Sequence, residues 1–453
     1  MLKKLYYKIS VAFDTILSIL LRILLTAIVI CLLLAIGHNS VKMVEIFGEN
    51  AKYKKVYPID DPFVMNTHVY GENNEETLVI LPAFGLQEPV LQYKGLAQAL
   101  SDKYKVVVVD YYGYGYSTDV KKDRTNALIA EEIKTLLDQV KVYRYLIVAE
   151  GTSNLYAMEF ANMYPEAVAG IITINGELPS NVTEEKLKQE YDDNVQNIKI
   201  GHYAEIVGFG RIMSYLKPEN FGIKQLFDAG VYDAQDMSEL RNRIACAYIT
   251  GDMVEEYKNL YNNKNALYGS KYDSSTPVLQ IISSDVISEY EDKVSNGDLE
   301  KNVVQYASDL ISNEGIQKIT KIDGEKDDLR YLKFKELGQI IKDFIEGTYS
   351  NYISADYKTS TKKPIETEKK VDSVVPVDNT VVPTTSKPKK EVNYTENEIM
   401  RIEDNPTTGP NTPVKSVPVT SDGKASRNET TTNSGEVKID NNIKKVEVEL
   451  KNQ

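Results

Sequence analysis

"LIVAEGTSNLYAMEFANMYPEAV", residues 146–168, decides how this chain folds. "LIVAE" (146–150) is an apolar run of strand length, and the residues from Ser153 onward repeat their apolar positions at helical spacing. Only Gly151 and Thr152 lie between. A strand therefore passes into a helix through a tight turn, and small residues suit so strained a bend.

The pattern continues on both sides. "TLVILPAFG" (77–85) and "KVVVVDYYGYG" (105–115) are buried strands, separated by a helical "VLQYKGLAQALSD" (90–102). "RTNALIAEEIKTLLDQVKV" (124–142) is helical, and "AGIITING" (169–176) is another strand. "TPVLQIISSD" (276–285) and "GIQKITKIDGEKDD" (315–328) resume the sheet, with helices expected at 299–312 and 332–347. Strands that do not alternate, with helices between them, predict a mostly parallel sheet covered on both faces. Residues 177 to about 273 break the rhythm and read as a helical cap inserted between two strands.

In this order the motifs resemble the α/β-hydrolase superfamily over about 64–347. "LPAFG" stands where that family has its oxyanion loop, "DYYGYGYST" (110–118) matches its D-x-x-G-x-G-x-S loop, and "MYPEAVAGIITING" (163–176) matches the segment after its nucleophile helix. The resemblance implies a serine in G-x-S-x-G, a histidine to take its proton and a carboxylate to orient that histidine. This chain departs from it twice. The elbow frame reads Ala149, Glu150, Gly151, Thr152, Ser153, so glycine holds the nucleophile position. The loop after the last strand, "KIDGEKDDLRYL" (321–332), offers Lys326, Asp327 and Asp328 but no histidine.

Weaker candidates remain. Ser153 becomes a nucleophile only if the frame shifts by two residues; otherwise it is a first-turn hydroxyl of the helix. Glu150 is a carboxylate at the strand end, read mainly as a polar strand terminus. The three histidines are His38, His68 and His202, and only His202, in the cap, could reach a cleft from above. Asp285 takes roughly the family's acid position, with a polar loop residue or helix cap as the plainer reading. A cleft at the carboxyl ends of the strands would be rimmed by Ala83, Phe84, Gly151, Thr152 and Asp285, with His202 or Tyr203 overhead.

"ILSILLRILLTAIVICLLLAIG" (16–37) is apolar apart from Ser18, Arg22 and Thr26, and about 20 such residues span a bilayer. Arg22 costs about 2.5–3.5 kcal/mol at mid-bilayer, against roughly 3–6 kcal/mol returned by the ten Leu, Ile and Val residues of 23–36. A cleaved signal peptide and a buried core helix are the competing readings. The run is long for the first, and "LAIGHNSVK" lacks a small-x-small cleavage site. Lys3, Lys4 and Lys8 before the span predict a cytoplasmic N-terminus at 1–15 in the plasma membrane, with the main domain extracytoplasmic. Residues 38–63 read as a stalk. From 348 to 453 the composition turns to Thr, Pro, Lys, Asn and Ser, which predicts a disordered tail.

The net charge of −13 and the absence of a basic face argue against nucleic acid as a partner. Cys31 and Cys246 give no disulfide framework or metal motif, and no cofactor or metal is expected. The acidic runs 289–292 and 325–328 read as solvated charge, and the sequons at Asn181, Asn393 and Asn428 matter only in a eukaryotic secretory host. The expectation is a membrane-anchored, non-catalytic hydrolase-fold domain that binds an amphipathic ligand or an envelope protein through its cleft. A weak serine hydrolase using Ser153 and a cell-envelope spacer are the alternatives.

Overall fold

The computed structural model describes residues 2–48, 51–180, 185–297 and 299–350. Eight strands form one sheet in the order β1-β2-β4-β3-β5-β6-β7-β8. They are β1 (Val56–Asp60), β2 (Phe63–Tyr70), β3 (Thr77–Leu81), β4 (Lys105–Val109), β5 (Tyr145–Glu150), β6 (Val168–Ile174), β7 (Val278–Ser283) and β8 (Gln317–Ile322). β2 runs antiparallel to β1 and β4, and every other pairing is parallel. At the centre, Leu78 of β3 pairs with Val106 on one side and Leu146 on the other.

Helices cover both faces, and the pleat of the strands divides the core accordingly. Leu78, Ile80, Val106, Val108, Leu146 and Val148 pack toward α3 (Lys94–Leu100) and α14 (Phe334–Phe344). Val79, Leu81, Val107, Val109, Ile147 and Ala149 pack toward α4 (Asn126–Gln139) and α5 (Ser153–Met163). α14 shows the logic of a covering helix. Phe334, Leu337, Ile341 and Phe344 recur at helical spacing and are buried, each contributing about 1.5–3 kcal/mol. β8 is one of the two edge strands, and its exposed Lys318 and Lys321 protect that edge from further pairing.

α1 (Leu2–Gly48) and the short α2 (Pro89–Gln92) precede α3. The cap, between β6 and β7, holds α6 (Glu185–Ala204), a 3₁₀ turn at Glu205–Val207, α7 (Phe209–Leu216), α8 (Ile223–Ala229), α9 (Ala234–Cys246) and α10 (Gly251–Ala266). Asp233 and Asp236 close a capping box on α9, and Thr250 caps α10. α11 (Ser284–Ser295), α12 (Val303–Asp309) and α13 (Leu329–Leu332) complete the chain.

Two readings of the sequence are corrected. The stretch 38–63 is not a free stalk: α1 runs on to Gly48, Tyr53 is a core residue, and β1 lies within it. The helix expected at 299–312 is the short α12, while α11 forms in a stretch that carries little apolar signal. A buried core helix is ruled out for α1, whose apolar stretch is long enough to cross a membrane and wholly exposed. From residue 351 onward the predicted tail lies outside the described residues.

Candidate functional site

β5 ends at Glu150 and α5 starts at Ser153, so the chain turns sharply at Gly151, which has φ +59°. That conformation is costly for a side chain and free for glycine. The Gly151 N–H donates to the Ile174 carbonyl at 3.1 Å, and its own carbonyl accepts from Glu177 at 2.8 Å. The elbow is thus tied to β6 and to the root of the cap. A Cβ at this position would meet only that of Ala83, at 3.7 Å. The space above the elbow is open.

Gly151 forms part of a cavity of about 430 Å³, which Ala83, Phe84 and Thr152 also line. The wall carries four acids, Glu150, Glu177, Glu289 and Asp327, and four bases, Lys264, Lys293, Lys326 and Arg330. No histidine lines it.

The charges are largely spent on one another. Arg330 of α13 grips Glu150 at 2.5 and 3.2 Å, and the Tyr93 hydroxyl donates to the same carboxylate at 2.7 Å. Both charged side chains are buried. Burial raises the Glu150 carboxyl above its ordinary range, opposed by the guanidinium and the tyrosine. A carboxylate held in this way is a poor nucleophile, because its lone pairs are engaged. Lys264 pairs with Glu177. Burial works against the lysine's charge, but the carboxylate outweighs it and holds the amine protonated, which removes it as a base.

The other candidates lie elsewhere. Ser153 is fully buried, donates to the Pro82 carbonyl and shares a 2.9 Å hydrogen bond with Tyr111. It does not line the cavity. His202 Nδ1 sits 2.7 Å from the Ile249 carbonyl, and neither it nor the exposed Tyr203 lines the cavity. His68 lies in β2 between Tyr53 and Tyr70, and His38 lies in α1. Asp285 accepts from the Ser283 hydroxyl and from the backbone N–H groups of Val286 and Lys326, the last two at 2.8 Å. Burial pushes its carboxyl up, and these hydrogen bonds more than offset it, leaving it below the ordinary range. Asp285 therefore fastens α11 to the loop after β8, and backbone occupies the place where the family resemblance puts a histidine.

Some hydrogen-bonding capacity remains unused. The backbone N–H groups of Phe84 and Thr152, on the two loops where the resemblance places an oxyanion hole, find no acceptor among the described residues. Thr152 Oγ1 and Asn175 Nδ2 are buried without a partner, and both residues line the cavity. Orphaned buried groups of this kind call for a ligand or water. Sequence reasoning missed Arg330, Lys264 and Asn175. Arg330 stands in "KDDLRYL", where the acidic run draws the eye and nothing local marks the arginine as the partner of a strand end. Among the described residues, no group of three or more His, Cys, Asp or Glu is arranged to hold a metal.

No family model matches the chain. Over 220 residues it is 27% identical to the uncharacterized protein YbdG of Bacillus subtilis (strain 168), a match covering 47% of this chain and 64% of that protein. The chain therefore spans just under two thirds of that relative's length. Among solved structures, the epoxide hydrolase VrEH1 from Vigna radiata aligns with a TM-score of 0.51 at 17% identity, covering 66% of this chain and 99% of that one. A thermophilic esterase from Thermogutta terrifontis gives a TM-score of 0.46 at 16% identity, covering 66% and 100%. At this identity the likeness to the epoxide hydrolase concerns the fold alone, and the fold is α/β-hydrolase-like.

Proposed function

We propose that this protein is a membrane-anchored, non-catalytic binding domain on a hydrolase scaffold, held by α1 in the plasma membrane with its main domain outside the cytoplasm. One observation carries the reading: glycine stands at the elbow of an open cavity that no histidine lines. Acyl transfer of the triad type needs a nucleophile and a base, and loss of either costs on the order of 10⁶ in turnover. The alternative that uses Ser153 draws no support from its setting, because its hydroxyl is buried on a carbonyl and a tyrosine.

The cavity's own groups describe the ligand. Two free backbone N–H groups and the orphaned Thr152 and Asn175 suit a molecule bearing a carbonyl or carboxylate oxygen. Phe84, Leu178 and Tyr191 offer apolar surface beside them. An amphipathic molecule with an oxygenated head fits both. The test treats the purified full chain in detergent with a fluorophosphonate probe and with short p-nitrophenyl esters. The expected result is no labelling and no hydrolysis above buffer, with a fluorescent fatty acid still bound. Stoichiometric labelling at Ser153 would overturn the reading.

A further inference from the structure

One cap helix leaves most of its large apolar side chains exposed. α7 buries Gly210 and Ser214 and packs Met213 on the core, while Phe209, whose ring also meets Tyr248, Ile212, Tyr215 and Leu216 are exposed. Tyr215 is 69% exposed and Leu216 68%. An ordinary surface helix does the reverse, because its large apolar side chains drive it onto the core. Just before α7, Tyr203 and Ile206 are also exposed.

This face adjoins the end of α1. Ala35, His38, Lys42 and Glu45 recur at helical spacing and are the partly or fully buried residues of that stretch of α1. The last three meet the cap directly. His38 faces Glu205 at 3.4 Å, Asn39 donates to the Ile206 carbonyl at 3.4 Å, and Lys42 donates to the Cys246 carbonyl at 2.5 Å. Glu45 and Arg211 form a two-pronged ion pair at 2.6 and 2.8 Å. A Cβ on Gly208 would lie 2.7 Å from the His38 ring, so glycine permits the close approach.

The depth then follows from helix geometry. Asn39 is two residues beyond Gly37, the end of the apolar span, hence about 3 Å further along the axis. The headgroup zone of one leaflet is about 5–7 Å thick. Ile206, held on Asn39, therefore lies within that zone; α7 begins three residues later in the chain, and its Arg211 reaches Glu45, about 12 Å beyond Gly37.

We propose that the cap rests on the bilayer through this face, with Ile206, Phe209, Ile212, Tyr215 and Leu216 buried in the interface beside the anchor. The occupant is the lipid surface itself, since the face is continuous with a helix that crosses it. Apolar groups at headgroup level, with tyrosines among them and exposed Lys217 next in sequence, match helices that lie in the interface plane. The inference rests on α1 spanning the membrane, as proposed above.

The chain contains no tryptophan, so single tryptophans report without background. Tyr215→Trp, Leu216→Trp, Leu25→Trp in the span and Glu314→Trp at the opposite end of the sheet are placed in the full chain and reconstituted into phospholipid vesicles. Emission is compared with and without phospholipids brominated on their acyl chains. The expected result is a several-fold loss of emission at positions 215, 216 and 25, and none at 314. Quenching at 25 alone leaves the anchor standing and overturns the seating. A blue shift at 215 that fades on dilution, without bromine quenching, assigns the face to a second copy and also overturns it. No quenching at any position overturns the anchor as well.

Discussion

The elbow and the outer face of the cap break ordinary expectations in opposite directions. At the elbow a side chain is missing where chemistry would require one: Gly151 faces open space with only Ala83 in reach. On the cap, large side chains stand where solubility alone would forbid them: Tyr215 and Leu216 face outward while Ser214 is buried. α6 connects the two regions, with Tyr191 lining the cavity and Tyr203 exposed on the outer face. Gly151 carries no side chain at the elbow and no histidine lines the cavity, while the exposed apolar side chains of α7 lie beside the end of α1. The proposed binding role rests on that contrast, and each region offers a way to test it.

The largest effect is expected at the cavity floor. Arg330→Ala leaves Glu150 buried and uncompensated, a change that costs about 3–5 kcal/mol. Chemical denaturation of the full chain in detergent measures it. The double variant Glu150→Gln with Arg330→Met should recover most of the loss, because no charge then remains in the apolar setting. A single variant as stable as the parent would show that the floor is wet, and would return Glu150 as a free carboxylate beside the elbow. That outcome breaks the contrast.

A smaller effect is expected where α1 meets the cap. Burial pushes the Glu205 carboxyl up to about 7, with Lys42 and Arg211 opposing; His38 and Tyr248 also face it. The docked state therefore holds a proton that the undocked state, with an ordinary carboxyl, releases. The Glu205 contribution is fully present below the ordinary carboxylate range and is lost as pH rises through about 7. His38, whose imidazole is held below its ordinary range by burial, works the other way, so between pH 6 and pH 8 the docking constant should fall by less than the roughly tenfold that Glu205 alone gives. Hydrogen exchange over residues 38–45, corrected for its intrinsic pH dependence, reports this, and Glu205→Gln should abolish the fall and leave only the opposite trend of His38. Persistence of the fall in that variant assigns it to another group.

The sheet was legible because its central strands are short apolar runs bounded by turn residues. The elbow was legible because strand and helix patterns meet at one glycine. β1 escaped because "VYPID" contains Pro58, which reads against a strand, and because it pairs only at an edge. α11 escaped because Ile287 is its one buried apolar residue, too little for a visible period. The Glu150–Arg330 pair escaped for a different reason. Its members are 180 residues apart and meet only because β5 and β8 deliver their ends to the same rim. No local pattern encodes such a meeting. The outward face of α7 was present in the sequence as an amphipathic helix, but its direction depends on α1, with five helices, α2 to α6, between them in the chain.

The smallest effect is expected from restoring the missing side chain. Gly151→Ser fits the space, since the nearest atom to a Cβ is 3.7 Å away. It must adopt φ near +59°, which costs about 1 kcal/mol of stability for an L-residue. A new hydroxyl would then stand in the cavity close to the free N–H groups of Phe84 and Thr152. It still lacks a proton acceptor. His202 is held at the Ile249 carbonyl, Asp285 is bonded to the backbone of the β8 loop, and Lys264 is kept protonated by Glu177. A serine at its ordinary pKa, with no base beside it, attacks esters negligibly at neutral pH. The variant should therefore melt slightly below the parent and hydrolyse p-nitrophenyl esters no faster than buffer. Turnover from this single change would mean that a cavity carboxylate or lysine supplies the base, and the elbow would then be one substitution away from an enzyme.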